Sequence, residues 1–125
     1  MSKTIINTIN APAPIGPYSQ AVKAGNILFL SGQVALDAAG NLVMDSIQAE
    51  THQVMKNISA LLTEAGAGFE HIVKTTIFLT DMALFAEVNE VYGSYFVNDF
   101  PARETVAVKG LPKNVNVEIS VIAVI

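Results

Sequence analysis

One stripe of apolar residues at helical spacing constrains the fold of this chain more than any other feature of its sequence. From position 54 onward, apolar side chains recur at i, i+4, i+7, i+8 and i+11, which places them on one face of an α-helix. We predict a helix from about Ser46 to Ala65, ended by Gly66. Because such a helix must bury its apolar face, a second layer has to cover it. The stripe consists of Val54, Ile58, Leu61, Leu62 and Ala65.

Five segments around this helix have the β-branched and apolar composition of strands. The first two flank a Gly25-Asn26 turn and are predicted to form a hairpin. Every residue from Ile27 to Leu30 is apolar, which predicts that this strand is covered on both faces. The three prolines of Asn10–Pro17 predict an extended loop before the hairpin. The segments are Gln20–Ala24, Ile27–Gly32, Ile72–Thr80, Arg103–Val108 and Val115–Ile125.

A second apolar stripe predicts a further helix, for which Asp81 is a suitable N-cap. With a strand ahead of the hairpin, the element order is β, hairpin, α, β, α, β, β. This order predicts a single α+β domain over residues 1–125, with a mixed sheet of about six strands and two helices packed on one face. The stripe consists of Phe85, Val88, Tyr92, Tyr95 and Phe96.

The exterior of such a domain is short of charge. Charged residues make up 14% of the chain, against a typical value of about 25%. The C-terminal segment Val121–Ile125 is almost continuously apolar. The free face of the sheet therefore needs cover, and we expect other copies of the chain to provide it.

Charge and residue content also exclude several classes of function. The net charge of −4, without a Lys/Arg cluster, argues against a nucleic-acid partner. The absence of cysteine excludes disulfides, thiolate nucleophiles and zinc-finger sites. His52 and His71 lack partners at metal-ligand spacing and are predicted to be surface or cap residues. With no apolar signal segment and no run near the ~18 residues of a membrane span, we expect a cytoplasmic protein with no membrane partner.

Charged residues interrupt the two closing strands. Strand alternation puts Arg103 and Thr105 on one face of their strand and Glu104 on the other. Glu118 lies within a strand that should be largely buried, where a carboxylate costs several kcal/mol unless it has a partner. Arg103 can grip a carboxylate through two parallel hydrogen bonds. Arg103 and Glu118 are therefore either site residues or a structural salt bridge with each other, and spacing alone leaves both open.

Asn89 is a third polar residue in an apolar setting. It lies four residues after Phe85 and three before Tyr92, on the apolar stripe of the second predicted helix. An amide there needs a hydrogen-bond partner. Tying down the backbone of a loop is the commoner role for such a residue, and supporting a site is the alternative.

At these residues the chain resembles the RidA/YjgF family of reactive-intermediate (enamine/imine) deaminases, over essentially its whole length and most closely its YabJ-type members. The last two matching stretches together form the family signature, with Arg103 and Glu118 at the expected separation. The stretches are Ala11–Gln20, Ser31–Gln33, Val73–Thr76, Phe85–Tyr92, Phe100–Arg103 and Leu111–Lys113 with Val117–Ile119.

The resemblance implies a chorismate-mutase-like subunit and a homotrimer with clefts between its subunits. It implies hydrolysis of 2-imino or 2-enamino acids, such as 2-aminoacrylate, to 2-keto acids and ammonia, with no metal and no organic cofactor. By position, Arg103 would clamp the substrate carboxylate and Glu118 would orient or activate the attacking water. The supporting residues of the cleft would be Tyr18 in the proline-rich loop, Ser31 and Gly32 in the wall, Thr105 through nearby backbone groups, and Asn89.

Two positions depart from the family pattern. Glu104 stands where a small residue is usual, and a bulge that turned it inward would make it compete with the substrate for Arg103. Thr105 replaces a cysteine that many members carry, with a hydroxyl of similar size. Two other functions stay open: a non-catalytic regulatory trimer that binds 2-keto acids and a protein partner, and an endoribonuclease or translation inhibitor, which the low positive charge disfavours.

Overall fold

Six strands and two α-helices follow one another in the order βββαβαββ along residues 2–125, which the computed structural model describes. The strands are β1 (Lys3–Ile6), β2 (Ala21–Ala24), β3 (Ile27–Gln33), β4 (Ile72–Leu79), β5 (Ala102–Ala107) and β6 (Val117–Val124), and the helices are α1 (Ile47–Glu64) and α2 (Phe85–Gly93). Ser46 caps α1 by accepting a hydrogen bond from the Ala49 N–H at 3.0 Å. Gly66 has a φ of +79°, a conformation that lets the chain leave the helix.

The six strands form one mixed sheet in the order β1-β2-β3-β6-β4-β5. β4 and β5 run parallel, and every other neighbouring pair is antiparallel. The C-terminal strand β6 therefore lies in the interior of the sheet, where it pairs Glu118 with Phe78 and Ser120 with Thr76. Because β6 is hydrogen-bonded to β3 on one side and β4 on the other, its register fixes which face of the sheet each of its side chains points to.

Both helices pack on the same face of this sheet. α1 buries its apolar stripe, including Val54, Ile58 and Leu61, in a core shared with Ile77 and Ile119 of the central strands. Burial of each large apolar side chain contributes about 1.5–3 kcal/mol to stability. Neither helix within residues 2–125 combines the length and the hydrophobicity needed to cross a membrane.

The other face of the sheet has no cover among residues 2–125. Leu28 and Leu30 of β3 are buried, whereas Ile27 and Phe29, which alternate with them, are 38% and 43% exposed. Within residues 2–125, β3 is therefore covered on one face, and the predicted cover on its other face stays a prediction for the assembled protein. Val124, which pairs with Ile27, is also exposed on this open face.

α2 is shorter than the apolar stripe predicted. Asp81 caps a single 3-10 turn at Met82–Leu84 rather than α2 itself. Beyond Gly93 the N–H groups of Tyr95 and Phe96 bond to carbonyls three residues back, which ends the α-helix. Tyr95 and Phe96 therefore lie outside α2, although both still pack against the core.

The last strand begins later than predicted. Pro112–Asn114 form a 3-10 turn, and the Val115 N–H bonds back to the Pro112 carbonyl at 3.3 Å. The ladder of β6 therefore starts at Val117 rather than at Val115. This turn brings the loop before β6 to the same end of the sheet as the proline-rich loop before β2.

Candidate active site

Arg103 projects from the edge strand β5 toward α2. The parallel register pairs it with Thr75, which is buried beneath the helices. Its Nη1 donates a hydrogen bond to Asn89 Oδ1 at 2.5 Å, and its guanidinium carbon lies 5.5 Å from the ring centroid of Phe85 and 5.3 Å from that of Tyr92. These contacts fix the guanidinium and leave its other N–H groups available to a ligand.

Glu104 points to the opposite face of β5, as strand alternation predicts. It accepts a hydrogen bond from Thr76 Oγ1 at 3.0 Å and forms an ion pair with Lys74 at 3.3 Å. The hydrogen bond from Thr76, followed by that from Lys74, lowers the pKa of the Glu104 carboxyl below its ordinary value. Because this ion pair is the only one within residues 2–125, Arg103 has no carboxylate partner in the described chain.

Glu118 lies on the open face of the sheet, against the backbone of Gly32. Val117 and Ile119, on either side of it, are buried beneath the helices, so alternation turns the carboxylate the other way. The ladder between β3 and β6 shifts register near the end of β3, and this irregularity brings Gly32 against the carboxylate. Partial burial raises the pKa of Glu118 above its ordinary value.

Glu118 and Gly32 form part of the wall of a cavity of about 320 Å³. Tyr18 lines it from the proline-rich loop, where its hydroxyl accepts a hydrogen bond at 3.2 Å from the backbone N–H three residues earlier. Ser31 also lines it, and its Oγ donates to a carbonyl of the same loop at 2.6 Å, which fastens the loop to β3. The rest of the lining is mainly apolar and includes Pro12, Ile15, Val34, Leu36 and Pro112.

The predicted site residues therefore form two groups on opposite faces of the sheet. Arg103 and Asn89 line a second concave region of about 420 Å³ next to α2, whereas Glu118 lines the first cavity. β4 separates β5 from β6, and the two side chains point away from each other across the sheet. The alternative of a salt bridge between Arg103 and Glu118 within one chain is thus wrong, because alternation places them on different faces.

Thr105 belongs to the Arg103 group. It pairs with Ile77, which is buried on the helix side, so its side chain faces the same way as that of Arg103. Its Oγ1 is buried and has no hydrogen-bond partner within residues 2–125. Buried hydroxyls are nearly always satisfied, so this one is an exception, and because the chain's own atoms cover it, it offers no surface to a ligand in this structure.

The aromatic support of Arg103 is a feature that the sequence reasoning missed. Phe85 and Tyr92 are predicted core positions, yet their rings also flank the guanidinium. The spacing of four and three residues around Asn89 puts all three side chains on one face of α2, and this spacing is the signal that could have identified the cluster. Asn89 bonds to the side chain of Arg103 rather than to the backbone of a loop.

The two histidines make hydrogen bonds away from both groups. His52 Nδ1 lies 2.8 Å from the Tyr95 hydroxyl. His71 Nδ1 accepts a hydrogen bond from the Gly68 N–H at 2.9 Å, a cap of the kind predicted. Nowhere between residues 2 and 125 do three His, Asp or Glu side chains cluster in a way that could hold a metal ion.

Comparisons with known proteins give consistent matches over nearly the whole chain. The family model described as Endoribonuclease L-PSP matches residues 8–125. A RutC family protein of Pyrococcus horikoshii is 50% identical over 122 residues, covering 97% of each chain. Reactive Intermediate Deaminase A, chloroplastic, of Arabidopsis thaliana is 46% identical, covering 98% of this chain and 66% of its own. The crystal structure of YyfA from Yersinia pestis, described as a conserved Rid family protein, has a TM-score of 0.96 and 48% identity, covering 99% of this chain and 100% of its own.

Proposed function

The chain belongs to the Endoribonuclease L-PSP family, which includes the Rid proteins, and on that premise we propose that it hydrolyses 2-imino and 2-enamino acids to 2-keto acids and ammonia. The observation that carries this proposal is the state of Arg103, which is fixed by Asn89 and two aromatic rings but has no carboxylate partner in the described chain. Such a guanidinium can accept a carboxylate through two parallel hydrogen bonds. A 2-imino acid presents that carboxylate next to the C=N carbon that water attacks.

The proposed site is composite, because Arg103 and Glu118 point to opposite faces of their own sheet. A cleft that holds both groups therefore takes Arg103 from one subunit and Glu118 from the adjacent one. The exposed apolar residues of the open face, Ile27, Phe29 and Val124, support burial of this face between subunits. A homotrimer closes such a head-to-tail interface into a ring with three equivalent clefts.

In this cleft the chain supplies binding and proton transfer. Arg103 and backbone groups near Thr105 would hold the substrate on one side, and the cavity that Glu118 lines would hold the attacking water on the other. Glu118 accepts a proton as the water adds to the iminium carbon, and it returns that proton to the nitrogen of the tetrahedral carbinolamine that forms. The C–N bond then breaks, and ammonia leaves and takes up the hydroxyl proton as the C=O bond forms. Iminium plus water thus gives keto acid plus ammonium, and the proposed reaction balances without a cofactor.

The surroundings of Glu118 support its role as a general base. Partial burial raises its pKa toward neutral pH, where a carboxylate transfers protons more effectively. Apolar residues line most of the cavity, which limits the competing hydration of the carboxylate. Tyr18 is the other titratable side chain among the residues that line it.

A coupled assay tests the proposal. A pyridoxal-phosphate-dependent dehydratase generates 2-aminoacrylate, and the release of keto acid and ammonia is followed with and without the protein. The protein should accelerate release, and Arg103→Ala should lower kcat/KM about ten- to a few hundred-fold, since hydrogen bonds to a charged group contribute about 1.5–3 kcal/mol each. Glu104→Gln is the matched control, because that neighbouring side chain faces away from Arg103, and it should keep the wild-type rate within about three-fold.

The same assay separates the alternatives. A wild-type rate equal to the uncatalysed rate would overturn the deaminase proposal, and retained binding of pyruvate would then favour a regulatory trimer that binds 2-keto acids. The description of the family model names an endoribonuclease, but a net charge of −4 gives RNA phosphates no attractive field. Cleavage of RNA that survives Arg103→Ala would favour that activity instead.

A further inference from the structure

Two buried polar side chains of α1 hydrogen-bond to loops that form walls of the cavity lined by Glu118, called here the Glu118 cavity. Glu50 and Asn57 are each 1% exposed, and at seven residues apart they lie on the same face of the helix. The side chains of both residues form hydrogen bonds with backbone groups of loops outside α1. Those loops supply residues to the lining of the cavity, so α1 is connected to the cavity without touching its interior.

Three donors converge on the Glu50 carboxylate. Oε2 accepts hydrogen bonds from the N–H groups of Asn116 at 2.7 Å and Val117 at 3.0 Å, and Oε1 accepts one from Asn116 Nδ2 at 2.8 Å. Consecutive N–H groups of a regular strand point in opposite directions, so one oxygen that accepts both holds the chain in a bend. Glu118 is the next residue after this bend.

The loop before the bend is held in an unfavourable conformation. Lys113 and Asn114 have φ values of +59° and +56°, in the left-handed region that a lysine adopts at a cost in free energy and that an asparagine tolerates better. Pro112, in the same turn, lines the cavity beside Glu118. A strained loop relaxes unless another group restrains it, and the Glu50 carboxylate provides that restraint at the start of β6.

Asn57 restrains the opposite wall. Its Nδ2 donates hydrogen bonds to the carbonyl oxygens of Val34 at 3.0 Å and Leu36 at 2.8 Å. Val34 and Leu36 both line the cavity. The two anchors therefore fix the cavity from both sides, and the one from Glu50 leads directly into the strand that carries Glu118.

We propose that Glu50 is a positioning residue for Glu118: by holding the bend at Asn116 it sets the direction in which the Glu118 carboxylate meets the attacking water. This inference rests on the proposed deaminase function. Glu50 touches neither substrate nor water, so its effect should fall on turnover rather than on carboxylate binding, which belongs to Arg103.

The test compares three variants in the assembled protein. Glu50→Ala removes all three acceptor contacts. Glu50→Gln removes the charge but keeps an oxygen for the two backbone amides, since the amide of Asn116 can turn to present its own oxygen. Thr51→Val is the matched control for stability, because among the described residues the buried Thr51 hydroxyl bonds only to the carbonyl of Ile47 in the same helix.

We expect Glu50→Ala to lower kcat about ten- to a hundred-fold, the range that small misplacements of a reacting group produce, with KM within about two-fold. The pKa of Glu118, measured by carbon-13 NMR titration of its carboxyl, should fall toward the ordinary glutamate value because water enters a loosened cavity. Glu50→Gln should restore kcat to within about three-fold of wild type and restore the titration, which separates geometry from charge. Thr51→Val should change neither measurement.

Failure of this inference is distinguishable from failure of the proposed function. An inactive wild-type protein would overturn the proposed function. An active wild type whose Glu50→Ala variant keeps both kcat and the Glu118 titration would overturn the positioning role alone, as would equal losses in Glu50→Ala and Thr51→Val. If Glu50→Ala does not fold, Glu50→Asp is used instead. The aspartate side chain is one methylene shorter, so it keeps the charge but moves the carboxylate away from the N–H groups of Asn116 and Val117. A fall in kcat and in the Glu118 pKa would then support the role, and wild-type values would overturn it.

Discussion

The carboxylate of Glu118 occupies the space that a side chain at position 32 would need. A Cβ built on Gly32 would lie 2.8 Å from Glu118 Cδ, closer than real Cβ contacts allow. The atoms in the way belong to the end of a flexible side chain, so they can move while the sheet stays intact. The choice of residue at position 32 therefore determines where the Glu118 carboxylate lies.

Gly32→Ala should displace that carboxylate without unfolding the protein. We expect kcat to fall about ten-fold or more, because the general base leaves its position relative to the water, with little change in KM. Gly110→Ala is the control, since a Cβ there meets no atom within 4 Å and the position has no left-handed φ. Kinetics of both variants in the coupled assay check the prediction, and equal kcat values would contradict it.

Mixed assemblies should show whether one cleft takes its groups from two subunits. Arg103→Ala and Glu118→Gln subunits are each expected to form inactive homotrimers. When they are dissociated together and reassembled at equal amounts, about one quarter of the clefts should combine an intact Arg103 with an intact Glu118. Recovery of about that fraction of the wild-type rate would support the composite cleft, and no recovery in verified hybrids would contradict it.

The rate should depend on pH through Glu118. Burial raises its pKa, and a general base must be ionised, so kcat should fall on the acid side with a midpoint above the ordinary glutamate value of about 4.3. The profile can be measured with a 2-imino acid generated by an amino acid oxidase present in excess at each pH. A kcat that stays constant down to pH ~4.3 would contradict this assignment of the base.

Glu118→Gln should stabilise the protein at neutral pH while it lowers activity. A carboxyl whose pKa is raised by folding contributes stability below its unfolded pKa, and that stability is lost as pH rises through the folded value. The variant removes this loss, so its free energy of unfolding should exceed that of wild type at pH 7 and approach it below about pH 4. Urea unfolding at fixed protein concentration measures both, and a destabilised variant at pH 7 would indicate a structural role for the charge.

Thr105→Val should leave both the kinetics and the stability of the protein intact. The buried Oγ1 has no partner within residues 2–125, so its replacement by a methyl group should leave the free energy of unfolding unchanged or raised. Because the hydroxyl is covered by the chain's own atoms, KM and kcat should both stay within about two-fold of wild type. A rise in KM would show that the hydroxyl contacts the substrate, and a loss of stability would show that it has a structural partner in the assembled protein.

Local patterns in the sequence predicted most of the elements because each depends on neighbours along the chain. The i, i+4 and i+7 stripe around Ile58 predicted α1 to within a residue at each end. Alternation correctly turned Glu104 away from Arg103, since successive residues of a strand face opposite ways whatever the strand pairs with. The predicted extension of α2 through Phe96 was wrong, because an aromatic residue can pack against the core from a 3-10 turn as well as from a helix.

Pairing between distant segments could not be predicted in the same way. Alternation fixes the faces of residues within one strand, but it does not say which face of β5 corresponds to which face of β6. That relation follows from β4, which pairs in parallel with one and antiparallel with the other. The partnership of Glu50 with the backbone before Glu118 spans 66 residues and has no local signal at all.

The sequence by itself determined the helices, the alternation along each strand, and the shortage of charge that calls for a covered sheet face. Only the tertiary structure decided that Arg103 and Glu118 face away from each other, and therefore that no single copy can bring them together. The physical reason is that hydrophobic periodicity acts between neighbours along the chain, whereas the order and register of strands are settled by hydrogen bonds and packing between segments far apart in sequence.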